Sequence, residues 1–281
     1  MAFPLLVFTD LDGSLLDHHS YSFKGAEKAL IRLQQLAVPL ILTSSKTRAE
    51  IEILQIRLGL HEAFITENGG GIFLPLDHPL QNINKLQQFN GYRGKQFGKP
   101  YKEIRRIFQT IKDRYKLIGF GDMTVDEISK LTGLTRKQAC LAQKRDFSEP
   151  FLFLVETDLQ ALKTELVEYG LTVTRGGRFY HLISTGQDKG RAVIGTKDLF
   201  QAEYQDRIIT IGVGDAENDY PMLRIVDIPV LIPKPDGSYV NMHLDGLRKA
   251  PHPGSKGWGE SIMATLEELE KQRTTGKLTF I

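Results

Sequence analysis

Short runs of consecutive apolar residues alternate with stretches of helical periodicity at both ends of the chain, and the alternation breaks in the middle. Apolar runs over residues 5–8 and 39–43 each precede a helical pattern, over 25–36 and 49–58. A third run, 64–66, leads through the turn cluster Glu67-Asn68-Gly69-Gly70-Gly71 into a fourth at 72–74. The same order returns later, with a helix predicted over 189–200, a strand over 208–213, a helix over 218–225 and a strand over 230–232. Strands this apolar, separated by helices, predict a parallel sheet covered on both faces. Between about Lys85 and Asp188 the helices fall at 101–114, 125–131, 136–144 and 159–169, and the strands at 117–120, 151–155, 171–174 and 179–183. Thr124 and Glu127 are spaced as a capping box. That part reads as an α+β insert with an antiparallel sheet.

Charge sharpens the division. The whole chain of 281 residues carries a formal net charge of +2, which argues against a dedicated nucleic-acid binder. Residues 85–186 alone carry +7 and the remainder −5. Two readings of that excess stay open: a solvated surface, or a lid that attracts an anionic substrate. The single cysteine, Cys140, rules out an intrachain disulfide framework, fits a reducing compartment and reads as a small residue on a helix. The N-terminal apolar run is interrupted by Asp10 and has no basic segment before it, so it does not read as a secretory signal. No stretch approaches the ~20 apolar residues of a membrane span. A soluble, cytoplasmic protein without membrane or nucleic-acid partners is expected; its oligomeric state is not readable.

The chemistry sits at strand ends. Phe8-Thr9-Asp10-Leu11-Asp12-Gly13-Ser14 places two carboxylates two residues apart, and residues i and i+2 of a strand point the same way. Such a pair suits metal binding, nucleophilic attack or acid/base work, and also occurs as an ordinary Asp-Gly turn. Thr43-Ser44-Ser45-Lys46 ends a strand with hydroxyls and backbone N–H groups before a helix, an oxyanion cradle or a simple N-cap. Asp188-Lys189-Gly190 opens a helix with a cation at its start. Gly214-Asp215-Ala216-Glu217-Asn218-Asp219 follows a strand with a Gly turn and an acidic cluster. Asp10, Asp12, Asp215 and Asp219 gathered at two strand ends make a Mg²⁺ signature.

These four segments, in this order, resemble the haloacid-dehalogenase-like hydrolase superfamily, and the insert between the second and third resembles its class with a large α/β cap. The fold this implies is α/β: a Rossmann-like, doubly wound parallel sheet core over 1–84 and 187–281, with an inserted α+β cap domain over 85–186. The resemblance implies Asp10 as nucleophile, Asp12 as general acid and base, Ser44 as phosphoryl holder and Lys189 as the charge-neutralising cation. It implies Mg²⁺ on Asp10, Asp215 and the main-chain carbonyl of Asp12, with Asn218 and Asp219 in support. Ser44-Ser45-Lys46 departs from the Thr-Gly-Arg common in this capped class.

A narrower resemblance lies in the insert. Arg145-Asp146-Phe147-Ser148-Glu149-Pro150-Phe151 and Thr174-Arg175-Gly176-Gly177-Arg178-Phe179-Tyr180-His181 are similar to the mannosyl-3-phosphoglycerate phosphatase family, as are Ser45-Lys46-Thr47-Arg48 and Gly257-Trp258. This makes Lys46, Arg145, Ser148, Glu149, Arg175, Gly176, Gly177, Arg178 and His181 candidate substrate-binding residues. Arginine forks suit carboxylates, and paired glycines let backbone N–H groups approach an anion. Alternatives stand beside these: Arg145 and Glu149 as a local ion pair, and His181 as a satisfied core histidine. The activity implied is Mg²⁺-dependent hydrolysis of a small phosphorylated sugar-glycerate, with another sugar phosphate or a non-catalytic phosphosugar-binding module as the alternatives.

Overall fold

The run Leu5–Thr9 forms strand β1 with all five side chains buried, as a strand covered on both faces requires. In the computed structural model, which describes residues 4–82, 86–204 and 207–275, it is followed by α1 (Glu27–Gln35), β2 (Leu40–Thr43), α2 (Arg48–Leu58), β3 (Phe64–Thr66) and β4 (Gly71–Pro75). Next come β5 (Gln87–Phe89), β6 (Tyr92–Gln96), α3 (Tyr101–Tyr115), β7 (Leu117–Gly119), α4 (Val125–Thr132), α5 (Arg136–Ala142) and β8 (Glu149–Phe153). The chain continues through α6 (Leu159–Val167), β9 (Leu171–Gly176), β10 (Phe179–Ser184), α7 (Lys189–Gln201) and β11 (Ile209–Gly214). It closes with α8 (Tyr220–Leu223), β12 (Ile228–Leu231), β13 (Arg248–Lys249) and α9 (Gly254–Thr274). Two compact units result, one from the segments up to Thr43 and from Val193 onward, the other from Ser44 to Ala192.

The first unit holds a parallel sheet in the order β13-β12-β11-β1-β2. β1 lies between β11 and β2, with Thr9 opposite Val213 on one side and Leu42 on the other. Helix α9 packs on this sheet through the fully buried Trp258, whose Nε1 donates to Thr9 Oγ1 at 2.9 Å. The sequence reading left α9 out. Gly254, Gly257 and Gly259 are poor helix formers, but a Cβ on Gly257 would collide with the His252 carbonyl, and one on Gly259 would lie 2.5 Å from the Gly25 carbonyl. Close packing, not propensity, accounts for the glycines in its first turns. The helix expected over 218–225 is a single 3₁₀ turn, Glu217–Asp219, followed by the short α8, with Pro221 in its first turn.

The second unit contains two antiparallel arrangements. β3, β4, β6 and β5 pair in that order. The polar hairpin β5–β6 had no apolar alternation to reveal it, although Asn90-Gly91, with Gly91 at φ +78°, is a turn signature. The expected antiparallel sheet is present as β7-β8-β10-β9. It is backed by α3 and α6 around Ile104, Phe108, Phe151, Leu162 and Leu166. A smaller cluster, including Phe120, Ile128 and Ala139, seats α4 and α5. The capping box at Thr124 and Glu127 forms, and Thr47 with Glu50 and Thr135 with Gln138 make two more. Cys140 is exposed on α5. Among the described residues no helix is long and apolar enough to cross a membrane.

Candidate active site

Because β1 and β11 are adjacent and parallel, the segments leaving their C-terminal ends fall side by side. Asp10 N–H donates to the Val213 carbonyl at 2.8 Å, and one carboxylate oxygen from each of Asp10, Asp215 and Asp219 lies within 4.8 Å of the others. All three residues are buried. Gly13 is what leaves room: it turns at φ +83°, and a Cβ there would stand 2.8 Å from Asp215 Oδ2. Asp219 Oδ2 accepts the N–H groups of Asp215 and Ala216 at 2.9 and 3.0 Å, so it braces the loop that carries Asp215. Asn218 lies in the same turn. Asp12 is half-buried and makes a bridge with Leu16.

Three buried carboxylates repel one another unless a cation joins them. Their hard oxygen donors fit a divalent ion of the Mg²⁺ or Ca²⁺ type. A residue that the sequence reading missed is already present: Lys234 Nζ contacts Asp215 Oδ2 at 2.8 Å. Lys234 belongs to the run Lys234-Pro235-Asp236-Gly237, which reads as nothing more than a turn.

In the second unit, Ser44 is fully buried directly after β2. Its N–H donates to Ile65 O at 3.1 Å, its carbonyl accepts Asn68 N–H at 3.0 Å, and its Oγ accepts Lys46 N–H at 3.3 Å. Lys46 Nζ reaches Glu50 only at 4.0 Å. Arg145 Nη1 donates to the Ser45 carbonyl at 2.7 Å. Lys189, fully buried at the start of α7, follows Asp188, whose carbonyl would be struck by a Cβ on Gly69. His181 is buried on β10, opposite Pro150 and Thr174. Burial first, then the positive charges of Arg145 and Lys189, pushes its imidazole down to about 3, so it is neutral near pH 7. Arg145, Lys189 and His181 therefore share one electropositive surrounding.

Glu67 holds this region together. It and Asn68 occupy the left-handed region at φ +49° and +57°, a conformation that costs a non-glycine residue about 1–3 kcal/mol. The Glu67 carboxylate is fully buried and accepts Asp146 N–H at 2.7 Å, Phe147 N–H at 3.1 Å and Ser148 Oγ–H at 2.6 Å, with Arg145 Nη1 at 3.9 Å. Gln187 Nε2 donates to its carbonyl at 2.7 Å. Burial pushes the Glu67 carboxyl up to about 7 against the opposing effects of Arg145, Ser148 and the backbone donor. The sequence reading saw only a turn cluster here.

The remaining candidates are placed differently. Glu149 is buried, accepting Tyr101 Oη–H at 2.6 Å and Gly121 N–H at 2.9 Å, with Arg105 Nη1 at 3.4 Å. Its ion-pair partner is therefore Arg105, and burial raises its carboxyl above the usual range. Arg175, Gly176, Gly177 and Arg178 form the tip of the β9–β10 hairpin. There Arg175 lies over the Tyr180 ring, 5.3 Å from its centroid, and Arg178 Nη1 donates to the Leu131 carbonyl.

Residues 7–233 match the haloacid dehalogenase-like hydrolase family. The chain belongs to that family. It is 48% identical over 267 residues to a glucosyl-3-phosphoglycerate/mannosyl-3-phosphoglycerate phosphatase of Persephonella marina, covering 95% of this chain and 99% of that one. A protein of the same description from Methanococcoides burtonii is 39% identical, over 92% of this chain and 96% of its own. Among solved structures, Thermoplasma acidophilum 0175 superposes with a TM-score of 0.66 at 21% identity, over 94% of this chain and 98% of that one. That last likeness concerns the fold alone. The acidic cluster of the first unit offers a donor set that a divalent cation fits, and the α/β fold expected from the alternating pattern is the one found.

Proposed function

We propose that this protein is a Mg²⁺-dependent phosphatase that cleaves the phosphate ester of a glycosyl-3-phosphoglycerate. Mannosyl-3-phosphoglycerate is the first candidate, and the relatives' description makes the glucosyl compound an equal one. The buried cluster of Asp10, Asp215 and Asp219 carries the reading. Mg²⁺ would be held by the Asp10 and Asp215 carboxylates and the Asp12 carbonyl, with Asn218 and Asp219 in support. Bound there, it offsets the negative charge that keeps a phosphate dianion from a carboxylate.

The Asp10 carboxylate oxygen attacks phosphorus, forming an aspartyl-phosphate as the ester P–O bond breaks. Asp12 gives its proton to the departing glycerate oxygen. It then takes a proton from the water that attacks the same phosphorus, releasing inorganic phosphate and restoring Asp10. Ser44 donates to a phosphoryl oxygen, and Lys189 places a fixed ammonium beside the developing charge. Residues 85–186 act as the specificity cap. In it Arg145 and Ser148, with His181 and the hairpin tip at Arg175, Gly176, Gly177 and Arg178, recognise the sugar and the glycerate carboxylate, while the buried Glu149, paired with Arg105, supports the strand behind them. Lys46 serves beside Ser44. The single cysteine fits action in a reducing cytoplasm.

Release of phosphate from a panel tests this: both glycosyl-3-phosphoglycerates, a hexose 6-phosphate and p-nitrophenyl phosphate. The expected result is a preference of roughly a hundredfold in kcat/KM for a glycosyl-phosphoglycerate, silence in chelator and recovery with Mg²⁺. Undiminished turnover in chelator, or no phosphate from any substrate, would overturn the proposal.

A further inference from the structure

Glu67 contributes to no chemical step above, yet four separate stretches of chain converge on it. Its own turn joins β3 to β4. Its N–H donates to the Lys46 carbonyl at 3.0 Å, beside Ser44 and Ser45. Its carbonyl accepts Gln187 Nε2, two residues before Lys189. Its carboxylate takes three donors from the consecutive residues Asp146, Phe147 and Ser148, 79 to 81 positions away. Arg145, the residue before these three, is the one that reaches back to the Ser45 carbonyl.

The chemistry of this arrangement is specific. Two backbone N–H groups and a hydroxyl, all donors, point at one fully buried residue. Only an ionised carboxylate presents acceptors alone to such a set; an amide would turn an NH₂, and a protonated carboxyl its O–H, toward one of the donors. A buried, unsatisfied donor is costly, so the 146–148 segment has one favourable position and Arg145 inherits it. The left-handed backbone at Glu67 agrees: glycine would hold that turn without strain, but it could not hold the segment.

We infer that Glu67 is the positioning residue that registers the Arg145–Ser148 segment against the phosphoryl-holding Ser44–Lys46 segment, and so determines selectivity for the non-phosphoryl end of the substrate. This rests on the phosphatase reading above and deepens it. Glu67→Gln keeps the size but loses part of the acceptor set; Glu67→Asp keeps the charge one methylene short. Both should lower kcat/KM for the preferred glycosyl-3-phosphoglycerate about 10–100-fold, mainly through KM. The loss on p-nitrophenyl phosphate, which lacks the sugar and glycerate groups assigned to Arg145, should be much smaller. Glu67→Asp should retain more than Glu67→Gln.

Amide hydrogen exchange supplies a readout independent of turnover. The Asp146 and Phe147 amides should exchange at least ~10-fold faster in either variant, while Leu182 on β10 keeps its wild-type rate. Equal losses on both substrates, or unchanged exchange at 146 and 147, would overturn the inference. If the wild type hydrolyses p-nitrophenyl phosphate but neither glycosyl-phosphoglycerate, the substrate assignment falls instead, and the exchange measurement still decides whether Glu67 registers the segment.

Discussion

In one unit three carboxylates meet with little more than adjoining strand ends and a glycine turn to bring them there. In the other, a buried glutamate gathers the segments that carry Arg145 and Lys189 from about 80 and 120 positions away, and both charges act on the buried His181 imidazole. The first cluster is collected by topology and opposed by its own charge. The second is collected by hydrogen bonds that compensate for burying ionised groups. Losing a member should therefore have opposite consequences. Losing Asp10 from the acidic cluster removes function and leaves stability unharmed; losing a member of the basic one disturbs position and stability first.

The largest expected effect is on the acidic side. Asp10→Asn should lower turnover by roughly a thousandfold or more, with the melting temperature in chelator unchanged or raised, since one of three like charges is gone. Phosphate release and thermal melts on the same preparation check both halves. A folded variant that turns over like wild type would remove Asp10 as nucleophile.

Within the second unit, burial separates two arginines that look alike in sequence. Arg145→Ala should cut the ratio of kcat/KM between a glycosyl-phosphoglycerate and p-nitrophenyl phosphate by about 10–100-fold. Arg178→Ala, at the exposed hairpin tip where the side chain donates to Leu131, should cost less than Arg145→Ala in the same ratio. Equal effects would erase the distinction drawn from burial.

Two groups of the basic region predict opposite pH dependences of stability. The folded state raises Glu67 from 4.5 to about 7, so it binds that proton more tightly than the unfolded chain, and stability falls as pH rises through this window. The folded state lowers His181 from 6.5 to about 3, so stability is lost as pH falls between those values. Glu67→Gln should abolish the first slope, a change of about 3 kcal/mol at most, and leave the His181 rise exposed between pH 5 and 7. Urea denaturation of wild type and variant at pH 5, 6, 7 and 8 measures the difference. Parallel curves would show that Glu67 does not titrate there.

The smallest effect tests the support behind Asp10. Trp258 Nε1 donates to Thr9 Oγ1, which in turn donates to the Asp10 carbonyl at 2.6 Å. Trp258→Phe should cost about 1 kcal/mol for the lost hydrogen bond, plus the packing defect. It should lower the melting temperature by a few degrees with kcat within about threefold of wild type. A loss of kcat as large as that of Asp10→Asn would instead make the tryptophan a positioning residue for the nucleophile.

The alternation of apolar runs with helical periodicity was enough to put Asp10 and Asp215 each at the end of a strand; that β1 and β11 are neighbours is a property of the folded sheet. A parallel sheet obeys local rules, and its chemistry sits one residue beyond each strand. The antiparallel sheet β7-β8-β10-β9 was also readable, as four short runs near the strands observed. What no window of sequence contains is the set of long-range contacts. Glu67 looked like part of a glycine turn because its partners lie 79 to 81 residues away. Lys234 gave no signal because its partner Asp215 lies 19 residues earlier, on another strand end. The Gly-rich start of α9 gave no helix signal because helix propensity is a local quantity, while the carbonyl that excludes a Cβ at Gly259 comes from Gly25, far away in the chain. Side-chain type and period specify elements and the charge at their ends; which distant donor a buried carboxylate receives is decided only when the elements have packed and water has left.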